Sequence, residues 1–333
     1  MAKSQSSIGV LLMAFGGPNS AEEVEPFLQR ILGREVPARR LREAKRRYRL
    51  IGGCSPLLEI TLRQARGLQD TLNARDHKFK VYVGMRHWHP FIDETFEEIQ
   101  RDGIDRVNYQ AMKGSPEYDA YFQKAGLLRN FNLSQLKDRQ EKLAFWINLY
   151  NTMVIHGVID WDIRESVKEK NGFFTRLKYN IGGHLFSLND IEHGILRGNS
   201  RPPYRLFRPF GSGDPRLPFI VSLTDPRIHF TLVCGSRSCP PIGFYTSERI
   251  EEQLELATAS FVNSPEVEIV PSENLLRISQ IFRWYRRDFG ENQRSIIEFL
   301  LRHLDAGEKK DFLENHREAI RVRYRTYDWS LNH

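Results

Sequence analysis

Hydrophobic and polar positions over the first hundred residues predict strands that alternate with helices. The apolar run IGVLLMAF begins at Ile8 and predicts a buried parallel strand, and KFKVYVGMRH predicts a second strand. Four segments with apolar residues every three or four positions predict helices: SAEEVEPFLQRIL, LREAKRRYRLI, PLLEITLRQARGLQDTLN and FIDETFEEIQRDG. The last helix is expected to end at Gly103. The alternation predicts a parallel sheet, whose ligands bind beyond the carboxyl ends of the strands, here near Phe15 and His87.

The pattern changes after Val107. Residues 141–159, EKLAFWINLYNTMVIHGVI, are apolar nearly all round and predict a buried helix. Four polar residues fall along one stripe of this helix, and we expect them either to anchor it through hydrogen bonds or to face a site. They are Glu141, Asn148, Thr152 and His156.

The remaining segments mix strands and helices without regular alternation, which favours an α+β class. IGGHLFSLNDIEHGILR predicts a short helix that begins near Ser187 or Asn189. FIVSL and IHFTLVC predict two strands joined by a turn at Asp225–Pro226, and EVEIV and LLRIS predict a hairpin. Three further segments predict helices: SERIEEQLELATASFV, IFRWYRRDFG and RSIIEFLLRHL.

Charge does not indicate a nucleic-acid partner. The net charge of +7 is spread along the chain, with 18 Lys/Arg and 14 Asp/Glu in residues 1–107. One local run is strongly basic: residues 39–49 hold seven basic side chains and one acid, Glu43. On a helix, four of them would form a basic stripe: Arg42, Lys45, Arg46 and Arg49.

No apolar run approaches the roughly 18 residues that a membrane span requires. The amino terminus resembles a signal peptide superficially, but the turn Gly16-Gly17-Pro18 replaces a small-residue cleavage site. We therefore expect a cytoplasmic protein without a transmembrane segment. Three cysteines agree with a reducing compartment, because they cannot form a disulfide framework.

Three ordered motifs in the first segment carry a resemblance to a known family. LLMAFGGP, YRLIGGCSPL and VGMRHWHPFIDETFEEIQRDGIDRV resemble the amino-terminal third of a ferrochelatase over about 107 residues. That family inserts ferrous iron into protoporphyrin IX to make haem. The resemblance implies that four residues match positions that contact the porphyrin: Phe15, Arg40, Tyr48 and Ser55. Arg40 suits the porphyrin propionates, and Phe15 or Tyr48 suits the apolar macrocycle.

The segment lacks most of that family's fold. The family's metal-inserting histidine and glutamate follow the point at which this chain changes, and nothing after Val107 resembles them. Without a second wall, little of a porphyrin would be buried. We therefore expect an incomplete chelatase-like α/β segment that does not insert metal. The alternative is that the segment still binds a porphyrin, or inserts ferrous iron into protoporphyrin IX in haem biosynthesis, with protoporphyrin IX and iron as substrates. Its two-stranded sheet would have unpaired edges, through which the chain could associate with itself.

The second segment resembles the domain of unknown function 547 family throughout. The motifs that carry this resemblance are YQAMKGS, LAFWINLYN, IGGHLFSLNDIEHGILR, DPRIHFTLVCGSRSCPP, IFRWYRRDFG and YDWSLN. The family has no established activity to transfer. We predict two parts, residues 1–107 and residues 108–333, with a fusion seam at Arg106–Val107 and Asn108–Tyr109.

A thiol site is the main functional hypothesis for residues 108–333. Cys239 lies in a loop before Pro240-Pro241, at the expected end of a strand, where chemistry is often placed. Cys239 would be the nucleophile of a hydrolase or acyl transferase. His184 or His193 would be the base, and Glu192 or Asp190 the orienting acid.

Three alternatives stay open for the same residues. Cys234 and Cys239 could close a disulfide if their Cα atoms lie within about 7 Å. On a regular strand, however, His229 and Cys234 would face opposite sides, and Cys234 would be a buried core thiol. The second alternative is a metal site formed by His184, His193 and His229 with a cysteine. Outside that alternative, no resident metal or other cofactor is predicted. A non-catalytic interaction module is the third alternative.

Overall fold

The computed structural model describes residues 8–32, 35–74, 79–101 and 109–332. The chain is a mixed α/β protein with small sheets. It divides into two compact units, residues 1–104 and residues 105–333. The predicted fusion seam and the predicted end of a helix at Gly103 lie outside the described residues.

The first unit alternates strands and helices as its pattern predicts. Its strands β1 and β2 pair in parallel, with Ile8 opposite Phe79 and Ala14 opposite Met85. The elements in chain order are β1 Ile8–Ala14, α1 Val24–Leu32, α2 Ala38–Leu50, α3 Leu57–Asn73, β2 Phe79–Met85 and α4 Ile92–Arg101. The predicted strands and helices of this unit are therefore confirmed.

A tight turn follows β1 at Gly16 and Gly17. Gly16 has φ +91°, and a Cβ atom there would lie 2.8 Å from the backbone nitrogen of Trp88. A Cβ on Gly17 would lie 2.6 Å from the Ser55 side chain. Only glycine allows both the backbone conformation and the close approach. The turn thus brings the carboxyl end of β1 against the loop that contains Ser55.

The second unit is built around α7, which extends over Arg139–Asp160. A capping box starts it, because the Asp138 side chain accepts from the Glu141 backbone and the Glu141 side chain accepts from the Asp138 backbone. Apolar residues cover nearly all of its surface, and Trp146, Ile147 and Met153 are fully buried. The prediction of a buried helix is confirmed.

Shorter elements surround α7 and form a second core. β3 and β4 are antiparallel; β5 and β6 form the predicted hairpin, and β7 adds to β6 in parallel. The elements in chain order are α5 Tyr109–Met112, α6 Pro116–Leu127, α7, α8 Phe173–Arg176, β3 Lys178–Ile181, β4 His184–Ser187, a π-helix Asp190–Leu196, α9 Ile250–Val262, β5 Val267–Val270, β6 Leu275–Ile278, α10 Gln280–Trp284, α11 Gln293–His303, α12 Glu308–His316 and β7 Arg321–Tyr324. The predicted helix near Asn189 is confirmed in position, and it has π-helical hydrogen bonding.

The two strands predicted around Asp225–Pro226 are wrong. Short 3-10 helices occupy Leu217–Phe219 and Pro226–Phe230 instead. Asp225 caps the second of these, because its side chain accepts from the backbone nitrogen of Arg227. The run from Ile228 to Val233 is buried throughout, whereas Leu223 in the first run is exposed. Neither run alternates in burial, so a short apolar run did not distinguish a strand from a compact helical turn. His229 lies in the second 3-10 helix and Cys234 lies outside any strand, so the expectation that they face opposite sides of a strand is wrong.

Candidate active site

One partly enclosed pocket in the second unit gathers most of its chemically capable side chains. Its volume is about 370 Å³, which falls within the range of small-molecule sites. Glu192, His193, His229, Cys234 and Cys239 all line it. Its walls are largely aromatic, from Tyr150, Phe174, Tyr204, Trp284, Tyr285, Tyr327 and Trp329.

The π-helix supplies Glu192 and His193. Both side chains are buried, and Glu192 accepts hydrogen bonds from the Tyr285 hydroxyl at 2.5 Å and the Tyr150 hydroxyl at 3.2 Å. Burial raises the pKa of Glu192, but its basic neighbours and the Tyr285 hydroxyl outweigh burial and lower it overall. Burial lowers the pKa of His193 to about 4. At neutral pH the pocket therefore contains a carboxylate beside a neutral imidazole.

A buried ionic network lies behind these two residues. Arg197 donates to both oxygens of Asp288, at 2.6 and 2.8 Å, and His229 Nε2 lies 2.8 Å from Asp288 Oδ2. Arg197 also contacts His193 Nδ1 at 2.9 Å. Burial opposes the charge of Asp288, but the hydrogen bonds from His229 and Arg197 hold its pKa well below the ordinary value. The network fixes both histidine rings, and the His229 ring stacks on Tyr285 with centroids 3.8 Å apart.

The two cysteines on the pocket wall form a disulfide. Their Cα atoms are 6.2 Å apart, which satisfies the distance condition set for the disulfide alternative. The Cys234 backbone nitrogen donates to Cys239 Sγ at 2.8 Å, and the Ser236 hydroxyl approaches the same sulfur at 3.5 Å. The Tyr327 hydroxyl lies 3.2 Å from Cys234 Sγ and 3.3 Å from Cys239 Sγ. Burial raises the pKa of Tyr327, so this phenol remains a hydrogen-bond donor at neutral pH.

Two sequence-based expectations about the cysteines are wrong. Cys234 is not a fully buried core thiol, because it is partly exposed and paired with Cys239. Cys239 does not follow a strand, because the chain after Phe230 is a turn and an irregular loop. Gly235, with φ +82°, reverses the backbone between the two cysteines and brings their side chains together.

His184 and Asp190 have partners elsewhere in the unit. The His184 ring packs on Phe219 with centroids 5.7 Å apart. Asp190 accepts from the Ser187 hydroxyl at 2.7 Å and pairs with Arg216 at 3.3 Å, which fastens the start of the π-helix. Of the predicted catalytic residues, the structure brings Cys239, Glu192 and His193 to one pocket, and neither His184 nor Asp190 lines it.

The polar stripe on α7 anchors the helix. Asn148 donates to the carbonyl of Tyr245 at 2.6 Å and accepts from its backbone nitrogen at 2.9 Å. His156 Nδ1 contacts the Tyr179 hydroxyl of β3, whereas the Thr152 hydroxyl donates within α7, to the Asn148 carbonyl. The first of the two expectations for this stripe is confirmed.

In the first unit, a more open surface pocket of about 670 Å³ contains three of the four residues matched to porphyrin contacts. Arg40, Tyr48 and Ser55 line it, together with Glu43 and Arg47. Phe15 is exposed at the end of β1, and its ring lies 4.4 Å from that of His87. Lys45 of the basic stripe pairs with Glu25 at 3.2 Å.

Four residues of the site are not among those predicted from the sequence. Asp288 and Tyr285 lie in IFRWYRRDFG, and Tyr327 lies in YDWSLN. The available signal was a polar side chain next to a large aromatic one, as Tyr285 follows Trp284 and Asp288 precedes Phe289. Arg197 lies at the end of IGGHLFSLNDIEHGILR.

Within residues 8–32, 35–74, 79–101 and 109–332, no group of three His, Cys, Asp or Glu side chains lies in an arrangement that could hold a metal ion. No helix in these ranges is long and apolar enough to cross a bilayer.

Two family models match separate parts of the chain. The model described as "Ferrochelatase" matches residues 7–118, and the one described as "Protein of unknown function, DUF547" matches residues 133–262. The second match contains Glu192, His193, His229 and both paired cysteines. The two resemblances inferred from the sequence motifs are therefore confirmed.

Curated ferrochelatases align with the amino-terminal part of the chain. A "Coproporphyrin III ferrochelatase" of Oceanobacillus iheyensis is 39% identical over 124 residues, which cover 36% of this chain and 39% of that protein. A "Ferrochelatase" of a Cyanothece species is 40% identical over 117 residues, 30% of each chain. A "Ferrochelatase-2, chloroplastic" of Oryza sativa subsp. indica is 40% identical over 119 residues, 30% of this chain and 23% of that protein. The chain thus spans well under half the length of these relatives and carries a ferrochelatase-like segment beside a DUF547 segment.

Proposed function

We propose that residues 108–333 form a domain that catalyses thiol–disulfide exchange with a small, largely apolar thiol or disulfide. The carrying observation is the Cys234–Cys239 pair on the wall of an aromatic pocket. A purely structural disulfide has no need of a pocket, whereas an exchanging pair must be reachable by a substrate sulfur.

Cys239 is the attacking sulfur of the reduced pair in this proposal. The Cys234 N–H group donates to its sulfur at 2.8 Å, and such a donor stabilises a thiolate. The Ser236 hydroxyl lies between the two sulfurs, 3.0 Å from Cys234 Sγ and 3.5 Å from Cys239 Sγ. Its thiolate attacks one sulfur of a substrate disulfide, which forms a mixed disulfide and releases one substrate thiolate. Cys234 then attacks the Cys239 sulfur, closes the protein disulfide and releases the second. The two protons of the cysteine thiols end on the two product thiols, and two molecules of thiol reverse the reaction.

The test uses the reduced full chain with Cys54→Ser, so that only the pair can react. With bis(2-hydroxyethyl) disulfide, we expect two thiols released per chain and a closed pair. Cys239→Ser should abolish release, and Cys234→Ser should trap a mixed disulfide on Cys239, visible as an adduct by mass spectrometry. No adduct on Cys239, or thiol release that survives Cys239→Ser, would sink the proposal.

A second candidate is acyl transfer or thiol-dependent hydrolysis by reduced Cys239. Glu192 and His193 in the same pocket favour it, since exchange alone does not require a carboxylate and an imidazole there. His229, oriented by Asp288, is a further candidate base. Incubation of the reduced chain with a p-nitrophenyl ester distinguishes the two. A hydrolase gives repeated turnover and a transient acyl adduct on Cys239, whereas an exchange protein gives neither.

We propose for residues 1–107 an incomplete chelatase-like unit that binds the edge of a porphyrin and does not insert iron. Arg40, Tyr48 and Ser55 in one surface pocket support this reading. Guanidinium groups suit propionates, and the open pocket would leave the metal-binding nitrogens in water. Titration of the full chain with protoporphyrin IX should give binding that Arg40→Glu weakens, and no insertion of zinc or ferrous iron. Insertion by the full chain would contradict this assignment.

Self-association through the edges of the β1–β2 sheet belongs to the same proposal and would appear as a dimer in sedimentation.

A further inference from the structure

The loop of residues 200–209 carries unpaired positive charge and exposed apolar side chains together. Its sequence is SRPPYRLFRP, with no acidic residue. Leu206 and Phe207 are 79% and 81% exposed, and Arg201, Arg205 and Arg208 are exposed around them. Among the residues that the structure describes, no ion pair involves these three arginines. We call this segment the arginine–aromatic loop.

The base of this loop is firmly closed. Asn199, with φ +58°, donates from its side chain to the Phe210 carbonyl at 2.9 Å and accepts from the Phe210 backbone nitrogen at 3.0 Å. The Phe210 ring is buried against Gly194 of the π-helix, where any Cβ atom would collide with it. The Arg216 guanidinium covers the ring at 4.2 Å. The tip is therefore presented from a rigid base, as in a compact Ω-type loop.

The loop also borders the pocket. Pro203 and Tyr204 line it, and the Tyr204 hydroxyl donates to Asn189 Oδ1 at 3.0 Å, next to the π-helix. One face of the loop thus belongs to the pocket wall, while Leu206 and Phe207 lie at the exposed tip. Two large apolar side chains beside each other in water are unfavourable unless something covers them.

We propose that the arginine–aromatic loop docks on an anionic lipid surface. Its chemistry combines the two contributions that hold proteins at such surfaces. Apolar side chains enter the headgroup region, and arginines, with long stems that extend toward the phosphates, pair with the anionic lipids. This inference does not depend on the proposed thiol chemistry.

The basic helix α2 of the first unit is a rival for the same surface and supplies the matched control. It carries more basic residues, but Lys45 and Arg47 are paired with Glu25 and Glu43. Leu50 and Ile51 at its end are also exposed. If the chain bound anionic surfaces only through non-specific electrostatic attraction, substitutions on α2 would weaken binding at least as much as substitutions in the loop.

The experiment measures binding of the full chain to phosphatidylcholine vesicles with and without phosphatidylglycerol, at about 0.1 M salt. We expect binding only to the anionic vesicles. Leu206→Ser with Phe207→Ser should weaken it at least about tenfold, and Arg205→Glu with Arg208→Glu should do the same. The matched pairs on α2, Leu50→Ser with Ile51→Ser and Arg42→Glu with Arg46→Glu, should change it less than about threefold.

Three outcomes would overturn the proposal. One is the absence of binding to anionic vesicles. Another is an equal or larger loss from the α2 pairs than from the loop pairs. The third is binding of a single-stranded oligonucleotide with the same dependence on Leu206 and Phe207, which would assign the loop to nucleic acid instead. Circular dichroism of each variant keeps loss of fold separate from loss of docking.

Discussion

The two units differ most in how much of each is buried. In the first unit, the described core cluster has three buried members: Val83 and Met85 of β2, and Ala65 of α3. The second unit has two large clusters, one around α7 and one around β5, β6 and α11. Yet the curated relatives align with the first. The partly enclosed pocket with paired cysteines lies in the second unit, whereas the pocket described in the first unit is more open.

Their pockets repeat this difference. The first unit presents Arg40 and Tyr48 on the side of one helix, next to a loop that contains Ser55. In the second unit, residues distant in sequence meet, as Arg197 does with Asp288 and Cys234 with Tyr327. Side chains that are positioned by several packed elements keep a fixed geometry. Catalysis requires such a geometry, whereas binding at a surface does not.

The largest expected effect is a difference in thermal unfolding between the two units when each is made as a separate chain. A chain limited to residues 108–333 should unfold cooperatively on heating, because both large clusters are internal to it. A chain limited to residues 1–107 should show no sharp transition, since a two-stranded sheet with a small core is marginal. Calorimetry of both pieces checks this, and a cooperative transition in residues 1–107 would break the comparison.

The next effect concerns the buried ionic network. Asp288 and Arg197 have side chains only 6% and 3% exposed, so Asp288→Ala leaves a buried guanidinium without its carboxylate. We expect the free energy of unfolding to fall by about 3–5 kcal/mol. The control is Glu298→Ala, which removes an exposed partner of Arg294 and should cost less than about 1 kcal/mol. Equal losses in urea denaturation would mean that the network does not support the pocket.

Acid should destabilise the second unit in a defined window. Burial lowers the pKa of His193 to about 4, so the folded state favours the neutral ring. The free energy of unfolding keeps its full value above the unfolded pKa of about 6.5. It falls by on the order of 3 kcal/mol as the pH drops toward 4, because the unfolded chain then binds a proton on this ring and the folded chain does not. Asp288, whose pKa is also lowered, adds a loss below about pH 4. His193→Asn should flatten the profile between pH 6.5 and 4, and an unchanged slope would contradict the assignment.

The smallest effect concerns the hydroxyl beside the sulfurs. Tyr327→Phe removes one donor near Cys234 and Cys239 and leaves the ring in the pocket wall. A hydrogen bond of this kind is worth about 1 kcal/mol, so the exchange rate should fall about fivefold. Stopped-flow thiol release measures it. Tyr324→Phe, at an exposed tyrosine outside the pocket, is the control and should react at the unaltered rate.

Local pattern predicted the long elements well and the site only partly. The sequence predicts α7 because a helix buried on nearly all sides is a long apolar segment. It predicts the β5–β6 hairpin because strands buried on one face alternate apolar and polar residues. The two strands expected around Asp225 failed because a short apolar run buried by distant segments does not specify its own backbone. The meeting of Asp288 with Arg197 and with His229 depends on tertiary packing across more than fifty residues in each case. No spacing in the sequence encodes it.

The most direct test of the central claim counts reactive cysteines in the full chain. Alkylation in denaturant without prior reduction should modify Cys54 alone, since Cys234 and Cys239 are paired. After brief treatment of the native protein with a small thiol, the same step should modify all three, because the pair lies on the wall of an accessible pocket. Three modified cysteines before reduction would mean that the pair is not formed. One modified cysteine after it would mean that the disulfide is closed to substrates, and either result would contradict the account.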